Sequence, residues 1–238
     1  MLKATLFLRS MVRANRMQGF LTSARFFSKD DSTPCCPPGS EPYRPSAADY
    51  KPKGDVIELD KDLKCYVSGE GKKAVVHCYD VYGFEGGRSK EITDQIGAEN
   101  YLAIMPDFFR THPWFHDQDV SMDIKLGWLV QFQWEAVSSD LFGRVIPYLR
   151  SKGVTDLAIT GTCWGAWVVF KACVTGKFKC GVSWHPSVHI ARHFGENEID
   201  IAKQIHCPQL ILPAGNDQPN MMEGGEVIET LRKQGVEV

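Results

Sequence analysis

The stretch Gly161-Thr162-Cys163-Trp164-Gly165 has the residue types for nucleophilic catalysis by a thiol. It closes the β-forming run "DLAIT" and opens a helix-compatible run from Gly165 to Thr175. A nucleophile framed by two glycines fits a strained strand-to-helix turn: the glycines let neighbouring backbone pass close by, and the turn forces the side chain between them into the open. The positive end of a helix dipole at that point favours thiolate over thiol. The following amide, Trp164 N–H, is then a candidate donor to an oxyanion. The competing reading is one more buried thiol, since free cysteine is among the most buried residue types. Cys65, Cys78, Cys173, Cys180 and Cys207 take that reading, as core residues. A candidate acid, Asp217, lies in "LILPAGNDQPN", where an apolar strand releases into a polar loop. An Asx turn near Pro219 is its alternative role.

Positioning these groups needs an alternation of strands and helices, and the sequence supplies one. "DVIEL" and "LKCYV" predict an antiparallel edge hairpin around a charged turn at Lys61 and Asp62. "KAVVHCYDVYGF" and "YLAIMPDFF" are apolar runs suited to strands covered on both faces, with helical spacing of Ile92 and Ile96 between them. A helix pattern covers 134–152. After the glycine-framed cysteine come a helix (165–175), a strand "KCGVSWH", a helix near 199–204, a strand "PQLILPAG" and a helix 225–233. "GVEV" begins like a further strand. The alternation implies an α/β fold: a mostly parallel central sheet with helices on both faces, its ligands at the carboxyl ends of the strands.

Composition narrows the partners. With 27 basic against 29 acidic side chains the chain has no overall field to gather nucleic acid or an acidic membrane. No stretch approaches the roughly 20 consecutive apolar residues of a membrane span. A small-molecule ligand and a monomer are expected. The 8 cysteines are scattered and several sit in apolar runs, which fits a reduced compartment better than a disulfide framework, and no ligand set at metal spacing is apparent. "GFEGG" follows a strand, but Gly83, Gly86 and Gly87 do not fit G-x-G-x-x-G, so a dinucleotide cofactor is not expected. Residues 1–29 carry Lys3, Arg9, Arg13, Arg16, Arg25 and Lys29 with no acidic residue before Asp30. That composition predicts a mitochondrial transit peptide over 1–27, with a cleavage-like "ARFFS"; a basic arm on a cytoplasmic protein is the alternative. A proline-rich arm over 28–53 leads into a catalytic domain over 54–238.

"GTCWGAW", "CYDVYGF", "YLAIMPDFFR" and "AGND" stand in an order and spacing that resembles the dienelactone hydrolase family, the carboxymethylenebutenolidase-like branch of the α/β hydrolases. The likeness runs from about Cys35 to Val238 and includes the entry Cys35-Cys36-Pro37-Pro38-Gly39. It implies an α/β-hydrolase fold and cleavage of a small, carboxylated ester or lactone through an acyl-thioester, with no cofactor. Cys163 would be the nucleophile and Asp217 the acid behind a histidine. Asp80 would contact the resting thiol, Val81 would give the second oxyanion-hole amide, and Arg110 would meet a substrate carboxylate. Their plainer roles are a turn cap, packing and a solvated cation. Trp114, in the excursion "RTHPWFHDQD" that borders the expected pocket, is a further substrate contact. Ala166 departs from the family's usual glycine, a change that tightens helix packing. The family takes its histidine from the loop after the last strand. The seven histidines here, among them His77, His112, His116, His185 and His189, are not at that place. The chain is therefore expected to be C-terminally incomplete, its last strand and helix cut short. The rival is a binding protein of the same fold without the base.

Overall fold

The computed structural model describes residues 46, 48–110, 112 and 122–238. The transit-peptide reading, most of the proline-rich arm and Trp114 lie outside them. Seven strands form one sheet: β1 (Asp55–Leu59), β2 (Leu63–Ser68), β3 (Lys73–Cys78), β4 (Leu102–Pro106), β5 (Asp156–Cys163), β6 (Gly181–Pro186) and β7 (Gln209–Leu212). Their order is β1-β2-β4-β3-β5-β6-β7. β1, β2 and β4 pair antiparallel, and every later neighbour pairs parallel. The expected edge hairpin is there. All five residues of β4 are buried, as an apolar run in the middle of a sheet requires. β7 stops at Leu212: the next amide on the β6 side, that of Ala214, donates instead to Asp217 Oδ2 at 2.7 Å. At the start of β7, Gln209 N–H donates to Glu237 C=O at 2.9 Å, so the "GVEV" segment meets this strand without becoming one.

The connections are helical: α1 (Ser89–Ala98), α2 (Met122–Leu129), α3 (Trp134–Asp140), α4 (Ile146–Ser151), α5 (Trp164–Cys173), α6 (Glu198–Ala202) and α7 (Glu226–Lys233). α3 runs straight into α4 through a π turn over Leu141–Val145, so the expected helix over 134–152 is continuous but locally widened. α5 is buried over nine of its ten residues, the pattern of a helix enclosed on all sides. Its exception, Lys171, pairs with Glu196. Among the described residues no helix is long and apolar enough to cross a membrane.

The end of the arm is part of the domain. Tyr50 O–H and Lys53 N–H donate to Asp94 Oδ2 at 2.6 and 2.9 Å, and Tyr66 O–H donates to Oδ1 at 2.8 Å. Gly54 N–H then donates to the Tyr66 oxygen at 2.7 Å. Burial works to raise the Asp94 carboxyl, but the bonds from Tyr50, Ser68, Lys53 and Tyr66 outweigh it and hold the group below its ordinary value.

Candidate active site

Cys163 ends β5 and caps α5 with φ 53° and ψ −113°, a backbone conformation that side chains rarely adopt. The flanking glycines explain how the chain tolerates it. A Cβ on Gly161 would lie 2.3 Å from the Gly165 carbonyl oxygen, and one on Gly165 would lie 2.2 Å from that of Cys78. β3 and α5 therefore meet backbone to backbone, with Cys163 held at the crossing. The tryptophans brace the same turn. Trp164 packs against Phe109 with ring centroids 4.6 Å apart and stacks on Tyr79 at 6.2 Å, while Trp167 stacks on Phe194 at 4.9 Å. Tyr79 is tied to the start of the β4 loop, its O–H donating to Asp107 Oδ1 at 3.1 Å and accepting Phe109 N–H at 2.8 Å.

The thiol is not thrust into the open as the motif suggests: Cys163 keeps 5% of its surface accessible. Ser187 covers it, donating from Oγ to Sγ at 3.5 Å and from N–H to the Cys163 carbonyl at 3.4 Å. β5 and β6 also slip register between Thr162 and Cys163, which sets Cys163 opposite Pro186. The remaining cysteines divide. Cys65, Cys78 and Cys173 are core residues, and burial pushes the Cys65 thiol up to about 12. Cys180 and Cys207 are half-buried instead.

Asp217 lies past β7 in a turn of its own making, its Oδ2 accepting Ala214 N–H at 2.7 Å and its N–H donating to the Ala214 carbonyl at 3.0 Å. The other oxygen, Oδ1, stands 2.5 Å from His185 Nδ1. His185 does not stand where the family resemblance puts the base, and sheet order shows why it still counts. β5, β6 and β7 are neighbours, so their carboxyl ends present Cys163, His185 and Asp217 in spatial sequence. His185 also has a left-handed backbone, with φ 45°. The sequence signal was the tripeptide His185-Pro186-Ser187 at the end of a strand, which supplies Asp217's neighbour and Cys163's cover together.

The β3 end reaches the same edge. Cys78 pairs with Gly161, so Asp80 and Val81 follow alongside Cys163. Asp80 Oδ1 accepts Tyr82 N–H at 2.9 Å, within the turn that follows β3. Trp164 is the first residue of α5, so no helical carbonyl lies behind its N–H. Arg110 faces the other way. Its guanidinium pairs with Asp140 at 2.7 Å and Asp62 at 3.4 Å, toward the antiparallel edge of the sheet and away from β5. Burial works against that charge, but Asp140 and Asp62 outweigh it and raise the Arg110 pKa above its ordinary value. Arg110 is thus not a solvated cation. Among the described residues no group of three or more His, Cys, Asp or Glu could hold a metal ion.

Comparison with known proteins agrees with the fold. The sequence profile of the dienelactone hydrolase family matches residues 65–238. A carboxymethylenebutenolidase homolog of Xenopus tropicalis is 29% identical over 143 residues, covering 58% of this chain and 56% of the relative. The Homo sapiens homolog is 28% identical over 141 residues, with 57% and 56% covered. The chain thus spans little more than half the length of these relatives. A dienelactone hydrolase-like promiscuous phosphotriesterase from metagenomic libraries superposes with a TM-score of 0.55 over 77% of this chain and 78% of that one. At 16% identity that likeness is one of fold.

Proposed function

Because the chain belongs to the dienelactone hydrolase family, we propose that it hydrolyses a small ester or lactone with Cys163 as nucleophile. A histidine takes the thiol proton, Sγ attacks the carbonyl carbon, and the displaced electron pair collects on an oxygen that accepts from Trp164 N–H and Val81 N–H. Collapse of the adduct expels the alcohol oxygen, which takes a proton from a histidinium and leaves an acyl-thioester. Water, deprotonated by the same histidine, then releases the acid and restores the thiol. Asp217 fixes the imidazole by holding its Nδ1, so that Nε2 faces the sulfur.

The observation that carries this reading is the strained Cys163 backbone at a crossing with no room for a Cβ on either flanking glycine. A purely structural thiol gains nothing from such a turn. For the base, the family resemblance points to a histidine after the last strand. The contact of His185 Nδ1 with Asp217 supports a second reading, in which His185 serves. A substrate carboxylate at Arg110 would have to share a guanidinium that already pairs with Asp140 and Asp62. The family match favours a hydrolase over a binding protein of the same fold.

The test is turnover of p-nitrophenyl acetate by the intact protein. Cys163→Ala should lower kcat/KM at least ~1,000-fold and abolish the acyl-enzyme adduct seen by mass spectrometry. Unchanged turnover would remove Cys163 from the mechanism. His185→Gln separates the two bases, since only the second reading expects a comparable loss.

A further inference from the structure

Three cysteines gather at the far end of α5 from Cys163. Cys173 is the last residue of that helix, about 15 Å along it from the cap. Cys207 enters β7 and Cys180 enters β6. Gly181 makes the gathering possible: a Cβ there would lie 3.0 Å from Cys173 Sγ and 2.5 Å from Gln209 Oε1. The amide of Gln209 spans this gap, its Nε2 donating to Cys207 Sγ and to the Cys207 carbonyl, each at 3.2 Å. Cys173 Sγ and Cys207 Sγ thus lie against the same amide, that of Gln209.

We propose that Cys173 and Cys207 are a redox modification site, closing to a disulfide when a peroxide reaches Cys207. Cys207 is the attacking sulfur, because it is half-buried while Cys173 is enclosed. Its thiolate is also favoured. The neighbouring Cys173 thiol lowers the Cys207 pKa and the Gln209 amide adds to that against the effect of burial, while the Cys173 pKa is raised. The thiolate displaces hydroxide from hydrogen peroxide, giving Cys207 sulfenic acid and, with one proton, water. The Cys173 sulfur then attacks the sulfenic sulfur, forming the S–S bond and releasing a second water. Two thiols and one peroxide become one disulfide and two waters. The bridge fastens the end of the helix that carries Cys163 to the strand that feeds Asp217.

The experiment treats the intact protein with one equivalent of hydrogen peroxide, alkylates the remaining thiols and maps the digest without reductant. The expected product is a cross-linked peptide pair containing Cys173 and Cys207, two hydrogens lighter than its parts and separated by dithiothreitol. It should persist in Cys180→Ser and Cys163→Ala and vanish in Cys207→Ser. A Cys180–Cys207 link, sulfinic acid at Cys207 without a link, or alkylation of both thiols after peroxide would each overturn the proposal.

Discussion

Replacing Gly165 by alanine puts the strand-to-helix crossing to a direct test, because two effects on it have opposite signs. In a helix alanine is favoured over glycine by up to about 1 kcal/mol. Against that, the new methyl would lie 2.2 Å from the Cys78 carbonyl oxygen and 2.7 Å from that of Tyr79. Carbon and carbonyl oxygen settle at about 3.3 Å, so α5 and the end of β3 must part by about 1 Å. Both oxygens are backbone, and no side-chain rotation relieves them. Overpacking of this kind costs about 1–3 kcal/mol, and a displacement of about 1 Å at a nucleophile lowers turnover about 100-fold. Gly127 provides the control, since it lies in α2 with nothing within 4 Å of an added Cβ. Urea unfolding at pH 7 should show Gly127→Ala stabilised by a few tenths to 1 kcal/mol (roughly) and Gly165→Ala destabilised. Aryl-ester turnover should fall only in the second. A Gly165→Ala protein as stable and as active as its parent would refute the backbone-to-backbone crossing.

Three further outcomes follow from other sites. Burial pulls the His77 pKa from 6.5 down to about 4, and its Nδ1 finds no hydrogen-bond partner among the described residues. Below pH 6.5 protons bind the unfolded chain in preference, so stability present above that pH should fall by about 3 kcal/mol on reaching pH 4. Urea midpoints across that range check it, and His77→Gln should flatten the decline. Arg110→Met leaves Asp140, a largely buried carboxylate, without its closest cation; the cost should be about 1–3 kcal/mol in unfolding experiments, with KM for an uncharged ester unchanged. Residues 1–29 fused to a fluorescent protein should direct it to mitochondria, and diffuse cytoplasmic fluorescence would count against the transit-peptide reading.

What could be read in advance was local. The order of strands and helices follows from runs such as "KAVVHC" and "LAIMP", whose composition already states that both faces are covered. The elbow was legible because Gly161, Cys163 and Gly165 are adjacent in sequence and their constraint is steric. Contacts between distant segments were not. Arg110 meets Asp62 across 48 residues and Asp140 across 30, and nothing in "PDFFR" foretells either. His185 gains its meaning only once β6 is known to lie between β5 and β7. The π turn over Leu141–Val145 leaves no mark on a periodicity already blurred by Gly143 and Pro147. The shallow exposure of Cys163 depends on Ser187, which arrives from the next strand.

Arg110, Cys163 and His185 all have left-handed backbones without being glycine, at φ 50°, 53° and 45°. Each follows or ends a strand of the sheet, β4, β5 or β6, at its carboxyl end. Such positions cost about 1–3 kcal/mol apiece, and glycine would relax every one of them. Mutational drift toward a more robust molecule therefore pulls this rim toward residues without a functional group. Only a requirement for the side chains themselves opposes that pull: the ion pair with Asp140 at Arg110, and the proposed chemistry at Cys163 and His185. The last two positions are therefore where relatives of this chain should reveal whether they have kept that chemistry or given it up.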